Sequence, residues 1–318
     1  MALSENSAAL AQKSGCALHL SDAVWVEKAT IFEVRMFTST LQCSSFHLNL
    51  SARRTDYDKP ITPASSECCM RVPVNPRNPE ADPFLARMAD RPIQAQRYLT
   101  LKDTLRAFQP LFADQRVLDF GCAFGLSACA MIALGARSVV GVEPLADRVE
   151  EGNEILREIG YTDRVSLNHV ADTRKLPFPA GTFSVAIAIA VFEHIPQPRG
   201  EYIAEVWRQV APGGILIVSE TPNKYIPWDY HTTKLPLTNW LPKRLARSIS
   251  LRMRRFAADD DWDHSGWRGL GYYEMMRNIR PPATVTHENT RLRHSIFRAI
   301  GLPAAFLDPY PIYVIRKA

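Results

Sequence analysis

Residues 117–125, with the sequence VLDFGCAFG, constrain the fold of this chain more than any other stretch. Residues 117–120 are bulky or β-branched and suit a strand buried on both faces, whereas residues 126–134 (LSACAMIAL) are good helix formers. Gly121 and Gly125 therefore lie at a switch from strand to helix. Such a switch directs backbone N–H groups and a helix N-terminus at a ligand, which predicts a nucleotide-type binding turn.

Short apolar strands alternate with helices on both sides of this turn. The pattern predicts further strands at 138–143, 164–170, 183–191, 215–220 and 310–315, and helices at 93–112, 126–134, 144–159, 201–210 and 291–300. Most of these strands are continuously apolar, which is typical of a parallel sheet covered by helices on both faces. The sequence therefore predicts a doubly wound α/β fold.

Length and composition limit the domains and partners of the chain. Its 318 residues suit one α/β domain of about 220–240 residues plus extra segments. The net charge of +5 permits an anionic ligand or surface but falls short of the dense basic stripe of a nucleic-acid binder, so partners cannot be identified from net charge. We expect no nucleic-acid partner, because no RNA-binding module is recognisable. The six cysteines form no C-x-x-C pair, which predicts neither a metal site nor a disulfide scaffold and favours a cytoplasmic protein.

The N-terminal part shows no repeat and no helical periodicity. An alternating run at 24–37 predicts a short strand or hairpin, and residues 51–83, rich in Arg, Asp, Ser and Pro, predict a linker. We expect residues 1–85 to be an extension and linker, possibly disordered, with residues 1–69 either dispensable or translated from upstream of a start at Met70. Residues 86–318 are then predicted to form the domain.

Three acidic residues stand at the predicted ends of three strands: Asp119, Glu143 and Asp172. Adjacent parallel strands deliver their carboxyl ends to one edge, where open α/β sheets bind ligands. Glu143 can accept both hydrogens of a ribose diol, and Asp172 can accept from an exocyclic amine. Gly121 and Gly125 remove side chains where the backbone approaches the ligand. For any single acid, a helix N-cap or a solvated strand end is the alternative interpretation.

The turn at 117–125 resembles the first motif of class I S-adenosylmethionine-dependent methyltransferases, and Glu143 resembles their acidic second-strand end. Segments 171–172, 176–178, 182–185, 192–195 (FEHI) and 211–214 (APGG) are similar to those of the ubiquinone and menaquinone type of small-molecule methyltransferase. The resemblance spans residues 93–225. It implies a Rossmann-like, mostly parallel sheet of seven strands and S-adenosyl-L-methionine as the cofactor. The cofactor contacts that it implies are Asp119, Gly121, Cys122, Gly125, Glu143, Pro144, Asp172, Thr173 and Phe192.

Ala123 departs from this pattern, because the family has glycine there. Alanine is harmless only if its φ is negative, since a positive φ costs a non-glycine residue about 1 kcal/mol or more. We expect the turn to bind the cofactor despite alanine at this position. A dinucleotide-binding G-x-G-x-x-G turn anchored on Gly121 would need glycine at positions 123 and 126, where Ala123 and Leu126 stand, so that alternative is disfavoured.

The resemblance implies direct in-line transfer of an activated methyl group, for which a hydroxyl acceptor needs a general base. His194, after the fourth strand, and His231, in the loop after the fifth, are the candidate bases; each has a packing or loop-bonding role as its alternative. Candidate substrate contacts are Tyr98, Glu220, Asn223 and Trp228, although aromatic residues at such positions are also typical of core packing.

Residues 221–282 break the strand and helix rhythm and predict a cap that carries substrate specificity. Within it, residues 241–256 predict an amphipathic helix with Leu241, Leu245, Ile249, Met253 and Phe256 on one face. The basic residues at 243–255 predict either peripheral contact with anionic lipid headgroups or a solvated face. Two functions stay open: methylation of a small-molecule or lipid-like acceptor, and a catalytically silent cofactor-binding subunit. RNA methylation is disfavoured because no RNA-binding module is recognisable.

Overall fold

The computed structural model describes residues 82–88, 90–280, 283–285, 299 and 308–318. The predicted hairpin at 24–37, nearly all of the predicted extension at 1–85, and the predicted helix at 291–300 apart from residue 299 lie outside the described residues.

The described residues form a seven-stranded sheet with the order β3-β2-β1-β4-β5-β7-β6. The strands are β1 (Arg116–Phe120), β2 (Ser138–Glu143), β3 (Val165–His169), β4 (Phe183–Ile189), β5 (Val210–Ser219), β6 (Ala283–Val285) and β7 (Tyr313–Lys317). Strands β1 to β5 pair in parallel, whereas β7 is antiparallel to both β5 and β6. This confirms the predicted mostly parallel sheet.

Helices flank these strands and complete the α/β alternation. They are α1 (Pro83–Arg87), α2 (Pro92–Arg106), α3 (Gln109–Phe112), α4 (Leu126–Ala133), α5 (Ala146–Glu158), α6 (Gly200–Gln209), α7 (Lys243–Arg252) and α8 (Tyr272–Asn278). The chain runs outward from β1 through β2 to β3 and then returns to the other side of β1 with β4. The strand order therefore reverses between β1 and β4, and open α/β sheets bind their ligands in the crevice at such a point.

Both faces of the sheet are covered, as the continuously apolar strands predict. On one face Val117 and Val185 pack with Leu105 of α2 and Met131 of α4. The opposite face, which includes Leu118, packs against α6 and α8 through a second cluster of buried side chains. Burial on both faces explains why these strands carry almost no alternation of polar and apolar residues. Among the described residues, no helix combines the length and apolar character that crossing a membrane requires.

Most predicted elements differ from the observed ones by a few residues at their ends, and two differences have a clear physical basis. The predicted helix at 93–112 is divided, because α2 ends at Arg106 and α3 begins at Gln109. Pro110 explains the division: it has no N–H group, and its ring would clash with the carbonyl of residue 106 in a continuous helix. Strand β5 begins five residues earlier than predicted, since Val210 pairs with Phe183 before an irregularity in register.

The apolar face predicted over residues 241–256 is buried only in part: Phe256 is buried and Leu241 packs against the same cluster, but other members of the face are exposed. In α7 the buried residues are Ala246 and Ser250, whereas Leu245 and Met253 are 48% and 54% exposed. The small side chains let α7 lie close to a cluster that includes Phe256 and Trp262, and the hydroxyl of Ser250 donates to the carbonyl of Ala246 at 2.7 Å. Part of the apolar surface that the periodicity assigns to the core therefore faces outward.

Candidate active site

The turn after β1 needs its two glycines for its own conformation. Gly121 has φ +75 and Gly125 has φ +80, a region that favours glycine. A Cβ at Gly121 would lie 2.6 Å from Val191, and one at Gly125 would lie 2.9 Å from Leu167. Packing of the turn against neighbouring side chains is thus a second reason for glycine, besides the close approach of a ligand.

Ala123 adopts φ +45, so the condition under which alanine would be harmless is not met. Its backbone N–H donates to Glu143 Oε2 at 3.0 Å, which ties the turn of β1 to the end of β2. Glu143 is 4% exposed and also accepts from the N–H of Leu145 at 3.4 Å. The predicted ribose acceptor is therefore a buried carboxylate beside the glycine turn.

Asp119 is more deeply placed than its position at a strand end suggests. It is 1% exposed, and its Oδ2 accepts from the hydroxyl of Ser127 at 2.5 Å. Burial raises the pKa of Asp119 to about 7; the Ser127 hydrogen bond opposes this rise, and the nearby Glu143 charge adds to it. The carboxyl group thus joins β1 to the first turn of α4.

Asp172 is the outermost of the three acids. Its carboxylate, 54% exposed, forms two hydrogen bonds of 2.8 Å with the Arg174 guanidinium. These bonds lower its pKa to about 2. The other predicted cofactor contacts differ in exposure: Pro144 is exposed, and Cys122, Thr173 and Phe192 are buried.

Three strained residues follow three neighbouring strands. Ala123 comes after β1, Ala190 after β4 and Glu220 after β5, with φ angles of +45, +53 and +58. Non-glycine residues in this region cost of order 1–3 kcal/mol each and gather at functional sites, where the surroundings hold them in place. The carboxyl edge of the sheet therefore carries strain on both sides of the β1/β4 switch point.

Glu193, His194 and His231 come together at this edge. Each offers one donor atom, and the three atoms lie within 4.8 Å of one another. Glu193 and His194 belong to a short 3-10 helix directly after β4. The ring centroids of His194 and His231 are 5.2 Å apart. The two predicted catalytic histidines thus lie together, although they are 37 positions apart in sequence.

The carboxylate of Glu193 is 1% exposed and only half satisfied. Its Oε2 accepts from the hydroxyl of Thr221 at 2.7 Å. Its Oε1 has no hydrogen-bond partner within the described part of the chain, and lies 3.9 Å from His194 Nε2. Burial raises the pKa of Glu193.

Each histidine has a defined setting. His194, with a 45% exposed side chain, has Nδ1 2.8 Å from the carbonyl of His264; the acceptor there is a carbonyl, so Nδ1 carries the proton. His231 follows Asp229, which is 1% exposed and accepts from the backbone N–H groups of residues 231, 232 and 233. A Cβ at Gly266 would lie 2.6 Å from the His231 ring. Burial lowers the pKa of His231 to about 3, and the charges of His194 and Lys234 add to this.

The four predicted substrate contacts differ in burial and in hydrogen-bond partners. Tyr98 is fully buried, and its hydroxyl donates to Asp82 at 2.7 Å. Glu220 pairs with Arg97 at 2.7 Å, and the amide of Asn223 donates to the carbonyl of residue 308 at 2.9 Å. Trp228 is 45% exposed. Their role as substrate contacts stays a prediction.

Sequence reasoning missed several residues that build the cluster, namely Glu193, Thr221, Asp229 and Gly266. A signal existed for two of them. Glu193 stands between two predicted site residues, and Asp229 precedes Tyr-His-Thr-Thr in a loop, where an aspartate commonly accepts from nearby backbone N–H groups. Thr221 and Gly266 carry no such local signal, because their contacts to the cluster are long-range.

A family model described as a methyltransferase domain matches residues 93–266. The 27-O-demethylrifamycin SV methyltransferase of Amycolatopsis mediterranei is 32% identical over 120 residues, 38% of this chain and 43% of that protein. The probable chloroplastic tocopherol O-methyltransferase of Oryza sativa is 31% identical over 102 residues, 32% of this chain and 28% of that protein. The sterol 4-C-methyltransferase of Caenorhabditis elegans is 36% identical over 101 residues, 32% of this chain and 29% of that protein. The matched region spans less than half the length of each relative.

Proposed function

This chain belongs to the family of S-adenosylmethionine-dependent methyltransferase domains, and we propose from that premise that it transfers a methyl group to a small, largely apolar acceptor. One observation carries the proposal. The buried carboxylate of Glu143, at the end of β2, accepts a hydrogen bond from the glycine-bearing turn after β1. This turn lies beside the point between β1 and β4 at which the strand order reverses.

The residues at this junction fit S-adenosyl-L-methionine. Glu143 has two carboxylate oxygens suited to a ribose diol, and Gly121 and Gly125 have no side chain that would keep a ligand from the backbone of the turn. Asp172, at the open end of the same edge, keeps a carboxylate for a polar group of the cofactor. The bound cofactor supplies an activated sulfonium methyl group, so the protein has to align the acceptor and exclude water.

The cap supports this second task. Residues 221–280 return to the carboxyl edge, where Thr221 donates to Glu193, His231 lies beside Glu193 and His194, and the carbonyl of His264 accepts from His194. We infer that the acceptor lies between this cap and the β1/β4 switch point, in line with the methyl group. If the acceptor is a hydroxyl group, the cluster of Glu193, His194 and His231 is the site at which that hydroxyl would lose its proton.

Exposed apolar side chains on the cap support a lipid-like acceptor. Trp228, Leu237 and Trp240 are 45%, 53% and 59% exposed, and Leu245 of α7 and Met253 just after it are 48% and 54% exposed. Two of the relatives are named for a sterol and for tocopherol, both lipids. We propose that the enzyme takes its acceptor while in peripheral contact with a lipid surface, with the basic residues of α7 facing anionic headgroups.

Cofactor binding by isothermal titration calorimetry tests the proposed site. Glu143→Ala removes both ribose acceptors, and we expect affinity for S-adenosyl-L-methionine to fall at least about tenfold. Glu150→Ala, at an exposed position of α5, is the matched control and should bind as the wild type does. Equal affinity in the wild type and a folded Glu143→Ala variant would refute the assignment of the ribose contact.

A further inference from the structure

The Glu193, His194 and His231 cluster has the composition of a metal site. It combines two imidazoles with one carboxylate, and the three donor atoms lie within 4.8 Å of one another. We propose that these three residues bind one divalent transition-metal ion, leaving open positions that an acceptor oxygen can fill. Binding of the acceptor oxygen to the ion rests on the function proposed above, whereas binding of the ion itself does not.

The state of Glu193 is the first argument for a cation. Its Oε1 is buried and lacks a hydrogen bond to any described residue, while Oε2 is fixed by Thr221 at 2.7 Å. Burying a polar group without a partner is costly, and most buried polar groups in proteins find one. A metal ion bound between Oε1 and the imidazoles would satisfy this oxygen.

The orientation of His194 is the second argument. Metal-bound histidines usually donate their other ring N–H to a carbonyl or carboxylate, which fixes the tautomer. His194 Nδ1 donates to the carbonyl of His264 at 2.8 Å, so that Nε2 keeps its lone pair beside Glu193. For His231, Asp229 holds the backbone of the loop, and the ring Nδ1 lies 3.4 Å from the hydroxyl oxygen of Thr232.

The donor set restricts the identity of the ion. Two imidazole nitrogens and one carboxylate suit zinc, manganese or iron(II), whereas magnesium and calcium prefer oxygen donors throughout. Donors at about 2.0–2.2 Å from such an ion lie about 3–4 Å apart, so a small movement of the partly exposed His194 closes the site. Three protein ligands leave positions for a hydroxyl group. The ion would make that hydroxyl more acidic, with its proton passing to solvent.

Metal titration of the full chain, without cofactor or acceptor, tests the proposal. We would measure Mn²⁺ binding by calorimetry and by loss of the free-ion electron paramagnetic resonance signal, and Zn²⁺ binding by calorimetry alone. We expect one ion per chain and at least about tenfold weaker binding in His194→Ala, which removes a partly exposed ligand and leaves the core intact. His264→Ala is the control, because its backbone carbonyl remains while a nearby exposed imidazole is removed.

Glu193→Gln provides a second ligand variant of nearly the same shape. Binding lost in both His194→Ala and Glu193→Gln but kept in His264→Ala would support the site. Absence of binding to the wild type at millimolar metal, or equal binding in His194→Ala, would refute it. The titration contains no methyl donor, so a failure to bind metal leaves the proposed methyl transfer standing. If the protein binds metal but transfers no methyl group, only the proposed methyl transfer is refuted.

Discussion

Ala123 is a strained residue that is held in place by a hydrogen bond to Glu143, a residue of the proposed cofactor site. Its φ of +45 is unfavourable for alanine, yet its N–H is bonded to the Glu143 carboxylate at 3.0 Å. The family pattern has glycine at this position, so the strain belongs to this chain rather than to the turn itself. The hydrogen bond to Glu143 therefore depends on Ala123 keeping its strained conformation.

Ala123→Gly should relieve the strain. The relief of about 1–2 kcal/mol exceeds the entropic cost of glycine in the unfolded chain, about 0.4–1 kcal/mol, so we expect a net gain of up to about 1 kcal/mol in unfolding free energy. Urea denaturation measures it. Ala133→Gly, in α4, should change stability in the opposite direction by about 0.5–1 kcal/mol. A loss of stability in Ala123→Gly would argue against strain at this residue.

Asp119 should make stability depend on pH. Burial raises its pKa from 3.8 to about 7, so between these values the unfolded state has lost its proton while the folded state keeps it. The contribution of this group to stability is therefore full below about pH 4 and is lost as pH rises toward 7.

Asp119→Asn removes this titration. Relative to the variant, the wild type should lose at most about 4 kcal/mol of unfolding free energy between pH 4 and 8. Urea unfolding of both proteins at several pH values in this window measures the difference. A difference that stays constant with pH would show that the Asp119 carboxyl does not titrate there.

The loop after β5 positions His231 through one buried carboxylate. Asp229 accepts three backbone N–H bonds and one hydroxyl bond, the last from Thr233 at 2.8 Å. Asp229→Ala leaves these donors without a partner, so we expect a loss of about 2–4 kcal/mol in unfolding free energy. Asp259→Ala, at an exposed position of the same cap, should change it by less than about 0.5 kcal/mol. Chemical denaturation of both variants decides whether the loop depends on Asp229.

Helix α7 presents the surface proposed to meet lipid. Residues 241–256 contain six basic residues and no acidic one, and Leu245 and Met253 are exposed beside them. We expect sedimentation with anionic vesicles, weaker binding to zwitterionic vesicles, and weakening by salt. The double change Leu245→Ala and Met253→Ala should lower partitioning about tenfold or more, since it removes several methylene groups from the contact. Leu99→Ala, exposed on α2, is the control. No binding to anionic vesicles would exclude this surface as the contact.

The sheet could be predicted from the sequence, and the cap only in part. Strands such as 138–143 are apolar throughout because both faces are buried, so their pattern is a local property of the chain. Over residues 241–256 the apolar periodicity finds the buried Phe256 but not the buried Ala246 and Ser250 of α7, because periodicity gives weight to large apolar residues.

The site divides in the same way. The position of Glu143 follows from strand ends, which meet at one edge in any parallel sheet. The assembly of Glu193 with His231, the bond from Thr221 and the space left by Gly266 depend on how the cap folds back onto the sheet. Such long-range contacts leave no periodic trace in a single sequence.

The domain as a whole brings together a proposed cofactor site on β1 and β2, a proposed proton-accepting or metal site after β4, and a cap with exposed apolar side chains. An enzyme with this arrangement should methylate a small, organic-soluble acceptor. A silent cofactor-binding subunit with the same fold would bind S-adenosyl-L-methionine without transferring its methyl group.

Transfer of a tritiated methyl group from S-adenosyl-L-methionine to a fractionated cell extract distinguishes these outcomes directly. We predict that the wild type places label in a small molecule of the organic-soluble fraction, and that Glu143→Ala loses this transfer while Glu150→Ala keeps it. Cofactor binding without any labelled product, or label found in protein or RNA, would contradict the proposed methyl transfer to a small apolar acceptor.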